Sequence, residues 1–363
     1  MKKVFLDCIY KKNLGDDLLI KTVCDRYKTT SFVFPSYFSD LNKINISNLK
    51  IININEYIYR MFRKISFKFN KINLIDKMII RKCDYVVTVG GSMFIEYSQS
   101  AKDYKFTWYK NLNKPYFILG VNIGPIYTQK YLTNLKKDVF QGAQDVCVRD
   151  KKSYNMVKDL KNVRCGADMI FSYDVSKFKN NNTKLKKVII SVINCERKKN
   201  QMKAANPQQY EELILQLISF FKGKGYEVEL MSFCKEEGDE ETINQIISQS
   251  NQKDINYYFY DGDIDQAIAE LNTANVIVGT RFHANVLGLL LDKTIIPVIY
   301  NDKTRNLLDD IKFKGKYIDL EHIDKFDVKT LSAKDLTYKC DVSKQVKEAQ
   351  KHFNILDKYL ERK

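Results

Sequence analysis

Residues 275–300 read NVIVGTRFHANVLGLLLDKTIIPVIY. A β-branched run over 275–278 ends at Gly279, a stretch of helical length follows over 282–291, and a second β-branched run covers 295–299. That order predicts a strand, a crossover helix and a parallel strand. Neither strand run alternates apolar with polar residues, as expected when helices cover both faces of a sheet. Polar residues gather where strand gives way to helix: Thr280, Arg281, His283 and Asn285. Charged side chains at the end of a buried strand require partners or a ligand.

The same alternation extends through the chain, which predicts an α/β fold with mainly parallel sheets. Upstream of the quoted stretch, strands are expected over 188–193, 227–233 and 257–260, with helices over 207–222, 240–248 and 264–272. Another helix is expected from Lys303. In the first half, strands are expected over 3–6, 31–34, 49–54, 85–89, 116–121, 145–148 and 163–165. Helices fit 16–26, 58–81, 128–141 and 153–160. Residues 172–186, SYDVSKFKNNNTKLK, are polar and without period, and read as a linker. The expected organisation is an N-terminal α/β domain over 1–171, the linker, a C-terminal α/β domain over 187–340, and a final helix over 341–363. That helix would pack through Val346, Phe353, Leu356 and Leu360. Two Rossmann-like domains of this kind are expected to face a cleft with the carboxyl ends of their strands.

Composition narrows the function classes. The 363 residues are 44% hydrophobic with 14 Gly and 5 Pro, which excludes a disordered or low-complexity chain. No apolar run approaches the roughly 18 residues that a membrane-spanning helix needs. The start, MKKVFLD, is interrupted by Asp7 and lacks a small-residue cleavage site, so a cytoplasmic protein is expected. Eight cysteines without a C-x-x-C pair argue against a zinc site or a disulfide framework, and reduced thiols are expected. The net charge of +16 suits nucleic acid, a membrane surface or phosphorylated ligands without choosing among them. Much of it lies in residues 58–82, IYRMFRKISFKFNKINLIDKMIIRK, where only Asp76 opposes eight Lys and Arg. Two readings stand side by side there: a core helix with a solvated basic side, or an interfacial segment on anionic headgroups at the inner face of a membrane.

Glycine-bearing strand ends mark where a backbone N–H can approach an anion. Three occur in the first half: Asn13-Leu14-Gly15-Asp16, Gly90-Gly91-Ser92, and Gly120 through Gly124-Pro125. Each alone is as well explained by a tight turn, and Asn13 and Asp16 also suit helix capping. Arg149 closes the apolar run 145–148, with Asp150 or Ser153 placed to cap the next helix. Of three histidines, His322 and His352 sit among charged neighbours and read as surface residues, which singles out His283. Arg149, Arg281, His283 and Lys303 form a cationic set at strand ends, suited to a small ligand with several negative charges.

These motifs, in this order, resemble the polysaccharide pyruvyl transferase family. The resemblance rests on Asn13-Leu14-Gly15-Asp16, Gly90-Gly91-Ser92, Leu119 through Pro125, Arg149-Asp150 with Ser153, Gly166-Ala167-Asp168, and Gly279 through Pro297, Tyr300 and Lys303. It covers about residues 10–310; Ser92 stands where many members carry a third glycine. It implies a fold similar to the type-B glycosyltransferases. It also implies an enzyme that moves pyruvate from phosphoenolpyruvate onto a hexose as a cyclic ketal, for a bacterial-type exopolysaccharide, capsule or other cell-envelope polymer, on an acceptor built on a lipid carrier. By motif, Arg149, His283 and Lys303 would hold phosphoenolpyruvate and carry catalysis, with Arg281 added from its position. Asn13, Gly15, Asp16, Gly90, Gly91, Ser92 and Gly124 would shape the acceptor side. His283, Asp16 and Asp168 remain alternatives for the proton donor. No cofactor and no metal are expected, since no ligand cluster has metal spacing.

Two rivals come from other classes. A nucleotide-sugar glycosyltransferase would use the same fold, but the sequence after His283 offers no Glu for a ribose until Glu321. A non-catalytic nucleic-acid-binding protein fits the charge but lacks aromatic-interleaved basic strands and any helix-turn-helix or zinc-finger signature.

Overall fold

Short β-branched runs punctuated by Asp, Asn and Gly become the strands of two parallel sheets in this computed structural model, which describes residues 1–36, 44–69, 71–96, 104–178, 186–198, 206–250 and 254–360. The first sheet contains β1 (Lys3–Cys8), β2 (Ser31–Ser36), β3 (Leu49–Asn53), β4 (Tyr85–Val89), β5 (Tyr116–Val121), β6 (Asp145–Val148) and β7 (Val163–Cys165). Around it run α1 (Leu14–Arg26), α2 (Glu56–Lys68), α3 (Leu74–Arg81), α4 (Tyr104–Lys110), α5 (Gln129–Leu135) and α6 (Lys151–Val157). The second sheet contains β8 (Lys187–Ser191), β9 (Glu227–Ser232), β10 (Asn256–Phe259), β11 (Val276–Gly279), β12 (Thr294–Ile299) and β13 (Ile318–Asp319). Its helices are α7 (Cys195–Lys198), α8 (Pro207–Gly223), α9 (Asp239–Gln249), α10 (Ile264–Thr273), α11 (Phe282–Leu290) and α12 (Asp302–Asp310), and α13 (Ser343–Ala349) and α14 (Asp357–Leu360) close the chain.

The spatial orders are β3-β2-β1-β4-β5-β6-β7 and β10-β9-β8-β11-β12-β13. Each sheet therefore reverses its winding once, between β1 and β4 and between β8 and β11. Open parallel sheets bind ligands at such switch points, beyond the carboxyl ends of the strands. The inner strands are covered on both faces: β5 and β11 are buried along their whole length, as their apolar runs require. Burying each such Val, Ile or Leu contributes about 1.5–3 kcal/mol.

Two chain crossings depart from a simple division at the linker. Met1–Tyr10 and Leu18–Ser172 pack as one unit together with the tail from Gln345, whereas Lys11–Asp17 pack with Tyr173–Lys344. Segment 11–17 enters the second unit as a short antiparallel bridge, Asn13 opposite Cys234, with Leu14 N–H donating to Phe233 O at 3.0 Å. Asp17 is fully buried there and accepts the Tyr260 hydroxyl at 2.8 Å. Other expectations are corrected locally. The helix expected over 58–81 is two helices, because the Asn73 side chain accepts from Ile75 N–H at 3.0 Å and starts α3 afresh. A π turn, Lys136–Phe140, follows α5, and a 3-10 turn, Gln350–Phe353, breaks the expected terminal helix. Of the expected linker, Ser176–Phe178 forms a 3-10 turn, and 179–185 lies outside the described residues. All eight cysteines are free thiols. Among the described residues no helix is long and apolar enough to cross a membrane.

His352, expected at the surface, is fully buried in the first unit. Its Nδ1 accepts from Gly120 N–H at 3.3 Å and its Nε2 lies 2.7 Å from Ala167 O. The tail is held on the same unit by Arg26, whose guanidinium forks onto Asp357 at 3.0 and 2.7 Å. Burial pushes the His352 imidazole down to about 4. Its folded pKa thus lies below the unfolded value of about 6.5, so acidification favours the unfolded chain, which takes up the proton first. Stability from this group is complete above pH of about 6.5 and is lost as pH falls toward about 4, on the order of 3 kcal/mol in all. Urea melts across that window should show the loss, and His352→Gln, which retains a donor and an acceptor without titrating, should flatten the slope. An unchanged slope would remove His352 from the pH response.

Candidate active site

In the first unit the strand ends of β4 to β7 bring their polar residues to one point. Arg149 follows β6 and is buried, as is Asp168, which follows β7. Arg149 Nη1 donates to Asp168 Oδ2 at 3.0 Å, and its Nη2 donates to Asn122 Oδ1 at 2.6 Å. Asn122 follows β5; its N–H donates to Gly91 O at 2.9 Å, and its Oδ1 accepts the Ser92 hydroxyl at 3.2 Å. Gly91 has a definite job here, because a Cβ on it would stand 2.7 Å from Arg149 Nη1. Ser92 therefore sits in the same hydrogen-bonded cluster as Arg149. Asp150 caps α6 through Ser153 N–H at 2.7 Å, while the Ser153 hydroxyl donates to Asp150 and accepts from Ile123 N–H at 2.8 Å. Gly90 lies against Met93, and Gly124 has φ of 108°, which only glycine adopts without strain.

In the second unit the site forms where β11 turns into α11. Asn285 fixes that turn: its Nδ2 donates to Gly279 O at 2.8 Å, and a Cβ on Gly279 would strike its amide. The half-buried His283 ring lies directly on Gly15, so two residues 268 positions apart form one contact. Gly15 was expected with the glycine-bearing ends of the first domain; the bridge of Asn13 to Cys234 carries it into the second unit instead. Asn13 also accepts from Gly15 N–H at 3.1 Å, which shapes the first turn of α1. Asp16 lies in that turn, one residue before the buried Asp17. On the adjacent strand end, Asn301 caps α12 by accepting from Lys303 N–H at 3.1 Å, which places Lys303 in the first turn beside the β11 end. The Asn301 Nδ2 and Thr304 Oγ1 atoms flanking Lys303 are buried without a hydrogen-bond partner.

Arg281 takes a different place from the one expected. Instead of extending toward a ligand, it is buried and forks onto Asp239 through Nε, at 3.0 Å, and Nη2, while Nη1 meets Glu237. Lys198 meets the same Glu237 at 2.7 Å. Burial pushes the Glu237 carboxyl up, but Arg281 and Lys198 outweigh it and hold the group down to about 2. Asp239 is raised by burial against the pull of Arg281 and of the Phe233 and Cys234 amides, so Arg281 is the partner that sustains its charge. Those two N–H groups donate to Asp239 Oδ2 at 2.9 and 3.0 Å. Phe233 O, in turn, receives the Leu14 N–H described above. Asp239 thus ties Arg281 to the loop on which the Gly15 segment rests. Sequence reasoning missed Asp239, Glu237 and Lys198; the one available signal was that buried Arg281 had to have a carboxylate partner.

Among the described residues one group of potential metal ligands comes together: Asp319, Glu321 and His322, within 4.8 Å of one another. Arg305 already pairs with Asp319 at 2.7 Å and reaches Glu321 at 3.7 Å, so these carboxylates are satisfied by a side chain.

Two parallel-sheet α/β units, each with polar residues at the carboxyl ends of its switch-point strands, have the architecture of the GT-B fold. The chain belongs to the polysaccharide pyruvyl transferase family, whose model matches residues 12–302 and so spans both sites. Solved structures of similar fold include HepE of Anabaena in complex with UDP and glucose, at 11% identity, with 98% of this chain and 96% of that chain covered and a TM-score of 0.55. The UDP-GlcNAc 2-epimerase of Methanocaldococcus jannaschii aligns at 9% identity over 99% of this chain and 100% of its own, with a TM-score of 0.58. A putative UDP-N-acetylglucosamine 2-epimerase of Listeria monocytogenes aligns at 8% identity over 99% and 96%, with a TM-score of 0.62. At such identities the likeness establishes fold alone. No curated protein sequence matches the chain.

Proposed function

We propose that this transferase of polysaccharide biosynthesis takes pyruvate from phosphoenolpyruvate and sets it as a cyclic ketal on two hydroxyls of a hexose, releasing phosphate. The observation that carries the reading is the His283 imidazole lying on Gly15 in the first turn of α1. The positive dipole end of a 13-residue helix lies there. With Lys303 on the neighbouring strand end, that corner suits a ligand bearing both carboxylate and phosphate. By its motif, Arg149, whose guanidinium is oriented by Asp168 and Asn122, is also proposed as a phosphoenolpyruvate-binding residue. Arg281 acts through Asp239, as a positioning residue for the Gly15 segment and for His283 two positions on. Gly90, Gly91, Ser92 and Gly124 are retained as acceptor-side residues.

In this mechanism the enol methylene gains a proton and becomes methyl, leaving an oxocarbenium-like centre at C2. One hydroxyl adds to C2 and the C2–O bond to phosphate breaks; the second hydroxyl then closes the ketal. One hydroxyl proton balances the methyl group and the other leaves with phosphate. Cationic groups at the phosphate oxygens stabilise the departing charge, and His283 is the proposed proton donor. The acceptor is read as a lipid-linked saccharide used at the cytoplasmic face of a membrane.

Incubation with phosphoenolpyruvate and candidate saccharides, followed by phosphate release and product mass, tests the reaction. The expected product has gained a pyruvyl ketal. A hexosyl gain from a UDP-sugar, with no phosphate released from phosphoenolpyruvate, would overturn the reading in favour of a glycosyltransferase. His283→Ala and Lys303→Ala should each lower kcat/KM by about tenfold to a hundredfold, the worth of one charge-assisted hydrogen bond to an anion. Near-normal turnover in both would overturn the site.

A further inference from the structure

The exposed side of α2 and α3 has no counterpart elsewhere on the described surface. Eleven large hydrophobic side chains are exposed among the described residues, and seven of them fall between Tyr57 and Met78. Ile58, Met61, Ile65 and Phe69 recur at helical spacing and form one stripe along α2. Leu74 and Met78, four apart, are exposed together on α3. These residues are not awaiting a core of their own, because each helix already packs another side inward. Tyr59 donates to the buried Asp76 at 3.0 Å, Trp108 Nε1 donates to the same carboxylate at 3.1 Å, and Ser66 is buried beneath α2.

Charge identifies what the stripe meets. All eight Lys and Arg between Arg60 and Lys82 are exposed. Asp76 is buried, and Glu56, exposed at the start of α2, pairs with Arg60 at 2.6 Å. An exposed apolar ridge bordered by an excess of cations matches a surface with apolar depth and negative headgroups. A soluble protein partner would have to supply both a groove and a dense acidic rim. No helix of the described chain is long and apolar enough to cross a bilayer, so the geometry is that of helices lying in its surface.

We propose that α2 and α3 form a docking surface for an anionic lipid bilayer, with Ile58, Met61, Ile65 and Phe69 entering the acyl boundary and the flanking Lys and Arg binding headgroup phosphates. This rests on the exposed ridge, not on the pyruvyl reading, and it is tested without catalysis. The full chain should co-sediment with phosphatidylglycerol-containing vesicles and stay in solution with pure phosphatidylcholine vesicles. Binding should fall steeply with salt as the Debye length contracts. Arg63→Gln, Lys64→Gln and Lys68→Gln together should weaken partitioning about a hundredfold, at about fivefold for each charge. Lys325→Gln, Lys329→Gln and Lys334→Gln, which remove the same charge from exposed positions of the second unit, should change it little. Ile65→Ser with Phe69→Ser should weaken binding while thermal unfolding stays near wild type. Three results would each overturn the proposal: no binding to anionic vesicles, an equal loss in both charge-neutralised triples, or a ridge variant that splits a dimer of this chain without altering vesicle binding.

Discussion

Asp239→Ala is expected to destabilise the second unit by about 3 kcal/mol, the cost of taking from a buried guanidinium the carboxylate it forks onto and leaving it Glu237 alone. Asp239 has no solvent exposure, and its two oxygens serve Arg281 and the Phe233 and Cys234 amides at once. Alanine strands four N–H donors, two on Arg281 and the Phe233 and Cys234 amides, and each buried unpaired donor carries its own desolvation penalty. The second half of the cycle separates charge from packing. Asp239→Leu combined with Arg281→Met removes both charges, and Lys198 and Glu237 remain paired with each other at 2.7 Å. That double variant should recover much of the lost stability, because a buried ion pair replaced whole by apolar groups is often neutral. Its activity should stay low, since the Phe233–Cys234 loop has lost its anchor. Urea unfolding of the three proteins measures the cycle. A single-variant loss below about 1 kcal/mol would mean that Asp239 is not the partner that holds Arg281.

The fold was legible where chain-local chemistry decides it. The runs 85–89, 116–121, 145–148 and 163–165 have the observed bounds of β4, β5, β6 and β7, because polar or glycine residues end each apolar run where the strand leaves the sheet. Helix α4 was not legible: its seven residues, YKFTWYK, are too few for a helical apolar period to show. Asn73 is one Asn among several in its neighbourhood, and only the three-dimensional turn reveals it as the cap that separates α3 from α2.

The site divides along the same line. Strand-end position alone drew attention to Arg149, Arg281, His283 and Lys303, since a cation after a buried strand is conspicuous in one dimension. What each cation faces depends on residues far away in the chain. Asp168 is 19 positions from Arg149 and Asp239 is 42 from Arg281, and nothing local marks either carboxylate as a partner. His352 misled for a related reason. Its neighbour Lys351 is charged, yet a 3-10 turn sends adjacent side chains to different sides, and His352 enters the first unit while Lys351 pairs with Glu348 at 2.5 Å.

Gly15→Ala tests the contact that no local pattern disclosed, and it is expected to cut kcat/KM about a hundredfold or more. A Cβ at Gly15 would stand 2.6 Å from both Cγ and Cε1 of His283 and closer still to Nδ1, well inside van der Waals contact. Either the imidazole turns away, or the Asn13–Gly15 segment lifts from Phe233 and Cys234. Both outcomes move the proposed proton donor by an ångström or more, a displacement that commonly costs about a hundredfold in rate. Stability supplies an independent sign. Alanine in a helix normally gains roughly 0.5–1 kcal/mol over glycine, so a Gly15 that touched nothing would give a more stable protein. The clash predicts the reverse: Gly15→Ala should melt lower than wild type. Adding His283→Ala should then restore the melt, because the ring that opposed the new methyl group is gone, while activity remains lost. Non-additivity of that kind is the signature of direct contact. A Gly15→Ala protein that melts higher and turns over normally would show that His283 does not lie on Gly15 in the working enzyme, and the proposed phosphoenolpyruvate corner would fall with it.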